Sequence, residues 1–454
     1  MDVIEEVDAV VIGLGPGGEE VAGQLAQAGL SVVGIDSGLV GGECPYWGCV
    51  PSKMMIRAAN LIAEAKRVNG IAGSAHVTSD WAPVAARIRE EATDNWNDDA
   101  AVKRFTDKGG HFVRGRGRMT SANTVVVGDQ SFRASRAIVL ATGSSPAEPP
   151  ILGMKGTKYW TNHEAIEAER LPASLIVLGG GAIGVELAQV FARFGVKVTI
   201  VEAADRLLFL DEPEVGELLG NVFEREGIET ITGMSANEIW HDGTDFHVTL
   251  ADQRSLSAER LLVATGRQVN LADVGVDVLG IDVTAKSLAV DARLRVADGV
   301  WAVGDITGKG AFTHVAMYQA AIAVADILNN THPTAEYNAV PHVTFTDPEV
   351  GAVGLSEAAA REAGYDVHVA KASVSSSARG WIHKAGNEGF IKLVVDRKRE
   401  VLIGATSMGP HGGEVLGLLT LAIHAQVPIA QLRTMIYAYP TFHRGVEDAL
   451  RSLS

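Results

Sequence analysis

Residues Ala9-Val10-Val11-Ile12-Gly13-Leu14-Gly15-Pro16-Gly17-Gly18 run from four apolar side chains straight into closely spaced glycines. The apolar run is typical of a buried strand, and the helix-like stretch 19–28 follows it. A second apolar run, 31–35, ends at Asp36, eighteen residues after the last glycine of the motif. This order predicts a dinucleotide site, because the glycines let the backbone approach a pyrophosphate and the acid accepts a hydrogen bond from ribose. The glycines concerned are Gly13, Gly15 and Gly18.

The same pattern occurs a second time. Residues 175–178 lead into Gly179-Gly180-Gly181-Ala182-Ile183-Gly184, a helix-like and a strand-like stretch follow, and Glu202 stands eighteen residues after the last glycine. Each copy is closed by a strand that ends in Ala-Thr-Gly, at 138–143 and 261–266. Two copies with matched spacing predict two dinucleotide sites in an α/β fold. The candidate contacts added here are Gly179, Gly181, Gly184, Thr142, Gly143 and Gly266.

The acid of the second copy bears on which dinucleotide binds there. Glu202 can accept a hydrogen bond from the 2′-hydroxyl of NAD and repels the 2′-phosphate of NADP. No basic residue immediately follows it, although Arg206 lies close by in the sequence. We therefore expect NADH to be preferred, with NADPH left open.

Both cysteines of the chain lie in Gly41-Gly42-Glu43-Cys44-Pro45-Tyr46-Trp47-Gly48-Cys49-Val50-Pro51-Ser52-Lys53. A structural disulfide framework uses several pairs, and a structural zinc site needs further ligands nearby, so a single close pair indicates redox chemistry. Cys44 and Cys49 can bond only in a constrained loop, and a strained disulfide is more easily reduced. A helix that begins here would favour the reactive thiolate. The alternative interpretation is a pair of inert, buried cysteines.

Length and charge limit the class of protein. The 454 residues predict about three domains. A net charge of −16 argues against binding to nucleic acid or to an anionic membrane. No stretch has the pattern of a transmembrane span, and residues 1–8 are acidic where a signal peptide is basic, so we expect a cytoplasmic protein.

The remaining segments allow coarser predictions. The stretch 74–108 indicates a second polar helix. A strand at 300–303 ends at Gly304-Asp305, and an apolar helix is expected from Thr313 to Ala325, which makes Asp305 a candidate contact for a ligand hydroxyl. From Pro341 the pattern changes to an α+β tail. The charged residues that we interpret as facing solvent are Arg57, Lys66, Arg67, Arg114, Arg116 and Arg118.

Taken together, these motifs resemble the pyridine nucleotide-disulfide oxidoreductases, the family of dihydrolipoamide dehydrogenase, glutathione reductase and mercuric reductase. The resemblance extends over nearly the full length, because the tail also contains Phe345-Thr346-x-Pro348-Glu349 and Gly409-Pro410-His411. It implies an α/β fold with two Rossmann-like dinucleotide-binding domains and an α+β C-terminal dimerisation domain. The implied boundaries are 1–147 for the first part of the FAD-binding domain, 148–270 for the NAD(P)-binding domain, 271–340 for the second part of the FAD-binding domain and 341–454 for the dimerisation domain.

The resemblance also implies cofactors and roles. Hydride is expected to pass from NADH to FAD, and electrons from there to the disulfide, with Cys49 facing the flavin and Cys44 exchanging with the acceptor. Lys53 resembles the lysine near the flavin N5 that pairs with a glutamate, matched here by Glu186. FAD is placed against Gly13, Gly15, Gly18, Asp36 and Asp305, the nicotinamide dinucleotide against Gly179, Gly181, Gly184 and Glu202, and further cofactor contacts are Gly42, Thr142, Gly143 and Gly266.

The C-terminus departs from the family pattern. Disulfide reductases of the family have His-Pro-x-x-x-Glu there, with the imidazole as acid and base for the exchange thiol. In this chain those two positions are Tyr439 and Arg444. A phenol with an ordinary pKa of about 10 is a poor base at neutral pH. His443, one helical turn beyond Tyr439, is the candidate substitute.

Two related subfamilies fit only in part. Mercuric reductases and soluble transhydrogenases resemble the chain in having tyrosine at this position. The former carry a further cysteine pair near the C-terminus, and the latter lack the second active-site cysteine, present here as Cys49.

The sequence thus predicts an FAD-dependent oxidoreductase that takes hydride from NADH and passes electrons through Cys44 and Cys49 to a disulfide, metal-ion or quinone-like small-molecule acceptor. The alternatives are a dihydrolipoamide dehydrogenase that uses His443, a mercuric reductase-like or transhydrogenase-like enzyme, and a low-turnover flavin redox sensor. We expect no resident metal, and a homodimer, since in the family the tail of one subunit completes the other's site. The predicted catalytic residues are Cys44, Cys49, Lys53, Glu186, Tyr439 and His443.

Overall fold

A computed structural model describes residues 4–453; residues 1–3 of the acidic N-terminal stretch and Ser454 lie outside it. The described chain forms two compact units. The first takes the residues up to Pro51 together with Ala86–Ala147 and Arg267–Tyr337. The second takes Ser52–Ala85, Glu148–Gly266 and the residues from Asn338 on.

The strands of the described residues are, in chain order, β1 (Ile4–Ile12), β2 (Val32–Asp36), β3 (His111–Arg114), β4 (Arg118–Ser121), β5 (Thr124–Val127), β6 (Gln130–Leu140), β7 (Ser145–Pro146), β8 (Ser174–Leu178), β9 (Lys197–Val201), β10 (Glu229–Ile231), β11 (Ala236–His241), β12 (Phe246–Leu250), β13 (Ser255–Ala258), β14 (Arg260–Val263), β15 (Arg267–Gln268), β16 (Arg295–Ala297), β17 (Val300–Ala302), β18 (Pro341–Thr344), β19 (Glu349–Gly354), β20 (Val367–Ser373), β21 (Phe390–Asp396) and β22 (Val401–Gly409).

The α-helices are α1 (Pro16–Gln27), α2 (Glu43–Tyr46), α3 (Cys49–Arg67), α4 (Ala82–Arg87), α5 (Asp99–Asp107), α6 (Asn162–Ile166), α7 (Ala182–Arg193), α8 (Pro213–Arg225), α9 (Leu271–Val274), α10 (Thr313–Ile327), α11 (Glu357–Glu362), α12 (Ala378–His383), α13 (Gly412–His424), α14 (Ile429–Thr434) and α15 (Arg444–Arg451). A π-helical turn spans Ile88–Ala92, and 3₁₀ turns span Val276–Leu279 and Asp305–Thr307.

The first unit is built on a mainly parallel sheet of order β16-β17-β6-β1-β2-β3, with β4 and β5 attached to β6 as antiparallel strands. Val10 and Val11 on neighbouring positions of β1 are both fully buried. A parallel strand that is covered on both faces has this continuous apolar pattern. Helix α1 packs against α10, and Leu25 of the former shares one apolar core with Ala323 of the latter.

The second unit contains three further sheets. One is the four-stranded parallel sheet β10-β9-β8-β14, in which β8 leads directly into the second glycine motif. Another is the antiparallel sheet β11-β12-β13, whose strands lie between β10 and β14 in the chain. The C-terminal part is an antiparallel sheet of order β18-β19-β22-β21-β20 that shares a core with α13, α14 and α15. The predicted α/β class, with two nucleotide-binding parallel sheets and an α+β tail, is confirmed.

The prediction of one polar helix over 74–108 is wrong. The structure has α4, the π-helical turn that follows it, and α5 as separate pieces. Between the last two, Asp94, Asn95 and Trp96 all have positive φ, at 48°, 58° and 55°. Consecutive left-handed residues cannot continue a right-handed helix, so the chain turns at this point.

Two of the arginines that were expected to face solvent form ion pairs, although the Arg114 side chain is still 42% exposed. Arg67 forms an ion pair with Asp347 at 2.7 Å, and Arg114 forms one with the buried Asp98 at 2.6 Å while its guanidinium stacks on the Phe112 ring. Each partner is distant in sequence, so the local charge pattern held no information about it.

Among residues 4–453, no helix is long and apolar enough to cross a membrane. In the same range, no group of three or more His, Cys, Asp and Glu side chains is placed to hold a metal ion.

Candidate functional site

The end of β1 and the start of α1 form the first glycine turn. Gly13 has a φ of 92°, and a Cβ there would collide with the carbonyl oxygen of Ala141; a Cβ at Gly18 would collide with the carbonyl oxygen of Gly13. At Gly15, directly before α1, an added Cβ would meet nothing within 4 Å. The turn therefore holds strand and helix together closely and leaves open space at the helix start.

Asp36 ends β2 and is tied to this turn. Its carboxylate accepts hydrogen bonds from the backbone N–H of Leu14 at 2.6 Å and of Gly38 at 2.7 Å. Burial raises the pKa of Asp36, and the two backbone hydrogen bonds oppose that rise. Because Leu14 lies within the glycine motif, its hydrogen bond fixes the position of the Asp36 carboxylate relative to the turn.

A second polar cluster fixes the segment after Asp36. Asp98 accepts hydrogen bonds from the Val40 N–H at 2.7 Å and from Arg114 at 2.6 Å, and Arg114 also donates to the Gly38 carbonyl. Val40 directly precedes the cysteine-containing segment. Within that segment Gly42 has a φ of 66°, and a Cβ there would lie 2.9 Å from the Gly15 Cα. The glycine turn and the cysteine segment thus touch at two glycines.

The predicted contacts Thr142, Gly143 and Asp305 lie at the same edge of the first sheet. Strands β6 and β17 run parallel and pair at Leu140 and Ala302, so the residues that follow both strands emerge together. Ser144 donates a hydrogen bond to Asp305 at 2.6 Å, and Arg267 donates to Ser144 at 2.8 Å. Asp305 is therefore held in place at the carboxyl ends of the strands, where ligands bind in open α/β sheets.

These features of the first unit fit FAD. The backbone at Gly15 offers room for a pyrophosphate at a helix start that no side chain caps. Asp36 would accept a ribose hydroxyl hydrogen bond, and Asp305 is the carboxylate available to a further ligand hydroxyl. The fit rests on the open space and on the donor and acceptor types present.

The second glycine turn repeats the geometry of the first. Gly179 has a φ of 107°, and a Cβ there would collide with the Ala264 carbonyl oxygen; a Cβ at Gly184 would collide with the Gly179 carbonyl oxygen. At Gly181 an added Cβ would again meet nothing within 4 Å. Gly266, with a φ of 133°, also borders open space. The second unit therefore fits another dinucleotide in the same manner.

Glu202 follows β9 at this turn and is buried. It accepts hydrogen bonds from the N–H of Gly180 at 2.5 Å and of Ala204 at 2.7 Å. Arg206, the basic residue that left NADPH open, donates to Asp205 and to the Phe209 carbonyl oxygen instead. The preference for NADH stays a prediction.

Cys44 and Cys49 lie on either side of a helix boundary. Cys44 belongs to the short α2, and Cys49 is the first residue of α3. The two thiols are hydrogen-bonded to each other, and the Cys49 sulfur lies 3.6 Å from the Thr313 hydroxyl. The hydrogen bond to Cys49 and burial raise the pKa of the Cys44 thiol, so Cys44 keeps its proton at neutral pH. This is the arrangement of a reduced dithiol.

A cavity of about 440 Å³ in the first unit opens onto Cys44. Its lining includes Tyr46, whose ring is 6% exposed, and Thr313. Cys49 does not belong to the lining. Cys44 and Tyr46 therefore both form part of the wall of this cavity.

Lys53 and Glu186 form an ion pair within the second unit. The Lys53 Nζ lies 2.9 Å from Glu186, whose side chain is 6% exposed, and 4.7 Å from the centre of the Phe345 ring. The other carboxylate oxygen of Glu186 accepts the Phe345 N–H at 2.7 Å. The ammonium group is thus held between a buried carboxylate and an aromatic face.

The C-terminal candidates lie in the second unit. The Arg444 guanidinium lies 5.3 Å from the centre of the Tyr439 ring and 3.0 Å from Glu447. Tyr439 is 69% exposed, and His443, which precedes α15, is also exposed. The phenol thus has a cation against its ring in place of an imidazole with a carboxylate partner.

The sequence analysis did not identify several residues that the structure places at these sites. Gln189 and Arg193 bind Asp347 from the same face of α7 as Glu186, so α7 holds the segment 345–347 through three polar side chains. Their spacing, three and then four residues apart in an otherwise apolar helix, was the signal available in the sequence. Further residues that were missed are Thr313, Ser144, Arg267 and Asp98.

Comparison with known proteins agrees with this geometry. The family model described as pyridine nucleotide-disulphide oxidoreductase matches residues 7–320, and the model of its dimerisation domain matches residues 340–450. The dihydrolipoyl dehydrogenase of Thermus scotoductus is 32% identical over 98% of this chain and 97% of its own length. The mercuric reductase of Bacillus cereus is 30% identical over 98% of this chain and 71% of its own.

A solved structure gives the same result. The HOCl-induced flavoprotein disulfide reductase RclA of Escherichia coli, determined as a Cu(II) complex, aligns with a TM-score of 0.87 at 26% identity, over 99% of this chain and 100% of its own. The relatives of this chain are thus flavoenzymes. The chain itself has two glycine turns, each with an acid hydrogen-bonded to it, a lysine paired with a glutamate, and two cysteines close together. The chain belongs to the pyridine nucleotide-disulphide oxidoreductases, FAD-dependent enzymes whose members bind FAD and NAD(P)H.

Proposed function

We propose that this enzyme uses NADH to reduce the Cys44–Cys49 disulfide and that the resulting dithiol reduces a thiol-reactive acceptor without an imidazole base. The observation that carries the proposal is the pairing of Tyr439 with Arg444 at the two positions where the disulfide reductases of the family have histidine and glutamate. A phenol with an ordinary pKa of about 10 is a poor proton acceptor at neutral pH, and a guanidinium offers no acceptor that could replace the glutamate.

The chain's own residues divide the work. When bound, FAD and the nicotinamide dinucleotide supply the electron pair that reduces the disulfide. Gly15 and Gly181 give room to the two pyrophosphates, while Asp36 and Glu202 orient the two riboses. Lys53, fixed by Glu186, supplies a localised positive charge, which stabilises negative charge that develops nearby.

The dithiol completes the reaction by exchange. With a disulfide acceptor, the Cys44 thiolate attacks one sulfur of the acceptor and forms a mixed disulfide with it. The other half of the acceptor is released as a thiolate. Cys49 then attacks the Cys44 sulfur, releases the second half and restores the Cys44–Cys49 disulfide. The acceptor gains two electrons and two protons, the dithiol loses both, and the cavity at Cys44 admits the acceptor at that sulfur.

Two acceptor classes react with thiolates in this way, disulfides and thiophilic metal ions. The relatives named dihydrolipoyl dehydrogenase and mercuric reductase, and the Cu(II) complex of RclA, support testing both. With a one-electron metal ion, the dithiol reduces two ions for each disulfide formed. A metal ion is then a substrate held by the thiols.

Homodimer formation is part of the proposal. A dimerisation-domain model matches residues 340–450, and large apolar side chains are exposed in that part of the chain. Ile436 is 96% exposed and Trp381 is 77% exposed. Exposed apolar surface of this kind favours burial against a second copy.

An anaerobic NADH titration of wild type and Cys49→Ser, followed by visible absorbance, tests the proposal. Wild type should take up one electron pair more than its FAD accounts for, because the disulfide is a second two-electron centre, and should develop a long-wavelength band that the variant lacks. If both proteins stop at one electron pair per FAD, the cysteines are not in the pathway.

The absence of an imidazole base predicts an alkaline pH dependence. Because the hydrogen bond to Cys49 and burial raise the pKa of Cys44, the thiolate fraction, and with it kcat/KM for a disulfide acceptor, should rise from pH 7 to pH 9 by up to about tenfold per unit. Stopped-flow or steady-state rates at saturating NADH measure this.

His443→Gln is the control for that profile. It should leave the curve unchanged. A plateau near neutral pH that disappears in His443→Gln would instead identify His443 as the base, as in the dihydrolipoamide dehydrogenase alternative.

A further inference from the structure

A cavity of about 430 Å³ lies in the second unit, between the turn that follows β20 and the segment that leads into α15. Hydroxyl groups and two guanidinium groups dominate its lining. We call it the arginine cavity, and the side chains that define it are Ser373, Ser376, Ser377, Thr441, Arg379 and Arg444. No residue of either glycine turn belongs to it.

Arg379 is the feature of the arginine cavity that calls for a ligand. Its guanidinium lies 5.4 Å from the centre of the Phe442 ring, and over residues 4–453 this guanidinium makes no hydrogen bond or ion pair. The side chain is only partly exposed. Five N–H donors in a planar fork therefore remain available at the cavity wall, in the geometry that matches a carboxylate or a phosphate.

Arg444 supplies a second positive charge to the arginine cavity, with 29% of its side chain exposed, and it forms an ion pair with Glu447 at 3.0 Å. Asp448 contributes one carboxylate to the lining. Since Glu447 already pairs with Arg444, Arg379 is the guanidinium whose charge remains available to an anion.

Aromatic rings hold both guanidinium groups in place. The Arg379 guanidinium lies 5.4 Å from the centre of the Phe442 ring, and that of Arg444 lies 5.3 Å from the centre of the Tyr439 ring. A guanidinium over an aromatic face keeps its N–H donors for an oxyanion. The serine and threonine hydroxyls already donate within their own turns, as Ser377 does to the Val374 carbonyl and Thr441 to that of Ala438. The arginines are therefore the principal donors.

We propose that the arginine cavity binds a small molecule through a carboxylate or phosphate group, with Arg379 as the main contact and Arg444 as the second. The assignment rests on Arg379, and it shares Arg444 with the Tyr439–Arg444 pair of the proposed function. It adds to the two dinucleotide sites a third site for a small anion.

Isothermal titration of the holoenzyme tests the proposal, with NAD⁺ at saturation so that both dinucleotide sites are filled. Sodium phosphate and sodium citrate are titrated separately at constant ionic strength. Wild type should bind at least one of them, and Arg379→Gln should weaken that binding by about tenfold or more, the loss typical of one charge-assisted contact. Binding of citrate alone assigns a carboxylate ligand, and binding of phosphate alone assigns a phosphate ligand.

Two matched variants separate a specific site from general charge. Arg399→Gln removes an exposed arginine of the same unit, which is bonded to Gln426, and should leave binding unchanged. Asp448→Asn should tighten binding because it removes the negative group of the lining. The unfolding temperature of Arg379→Gln should equal that of wild type, because the substitution removes no ion pair. The proposal fails if neither anion binds, or if Arg379→Gln and Arg399→Gln bind equally well.

Discussion

A Cys44→Ser variant is expected to lose acceptor turnover by about a thousandfold or more while it still binds FAD and is still reduced by NADH. Cys44 is the cysteine that lines the cavity of the first unit, and under the proposed function it is the residue that an acceptor meets. A serine hydroxyl has nearly the same size but is not ionised at neutral pH and cannot form a mixed disulfide. Steady-state oxidation of NADH with a small aromatic disulfide measures the loss.

Cys49→Ser is the matched variant, and it should fail at a different step. The chain has two cysteines in total, so this variant retains Cys44 alone. Cys44 should then attack the disulfide acceptor once, release one thiol per subunit and stay blocked as a mixed disulfide that intact-mass spectrometry detects. If both variants turn over the acceptor at the wild-type rate, electrons bypass the dithiol and a quinone-like acceptor becomes the better hypothesis.

A Lys392→Met variant is expected to be destabilised by about 3–5 kcal/mol, the cost of leaving buried charges without their partner. Lys392 is 4% exposed and forms ion pairs with Glu212 at 2.9 Å, Glu357 at 3.0 Å and Glu214 at 3.2 Å. Burial lowers the pKa of Lys392, but the hydrogen bonds to Glu212 and Glu357 outweigh this and raise it, so the ammonium is charged in the folded protein. The urea midpoint of the holoenzyme should fall accordingly.

Lys371→Met provides the comparison. Lys371 also pairs with Glu214, at 3.3 Å, but half of its side chain is exposed, so its removal should cost less than about 1 kcal/mol. Adding Glu212→Gln to Lys392→Met should recover part of the stability, because it removes the most buried of the unpaired carboxylates. Equal midpoints for the two lysine variants would mean that the buried cluster contributes no more than a surface ion pair.

The nucleotide turns are the part of the molecule that local sequence predicts well. Gly13 and Gly18, and likewise Gly179 and Gly184, are required by backbone contacts within a few residues or with the neighbouring strand, so the motif and its geometry coincide. In the cysteine segment, Cys49 begins α3, which is the condition under which the sequence analysis expected a thiolate to be favoured.

Polar partners that are far apart in the chain were not predictable in this way. Arg67 and Arg114 have the local pattern of solvated charges, yet each meets a carboxylate that other elements bring to it, Asp347 in one case and Asp98 in the other. A charged side chain carries no mark of its partner, because the attraction acts through space and the fold decides which groups approach.

The sequence alone therefore determined the family and the two glycine turns with their acids, since each depends on residue types at short spacing. The redox role of Cys44 and Cys49 and the loss of the histidine base stay predictions. Folding was needed to hold Lys53 between Glu186 and Phe345, to expose Cys44 rather than Cys49 to a cavity, and to leave Arg379 unpaired beside Arg444. Each of these arrangements involves residues that are dozens of positions apart or that lie on either side of a helix boundary. Only the packing of strands and helices brings their side chains within contact distance.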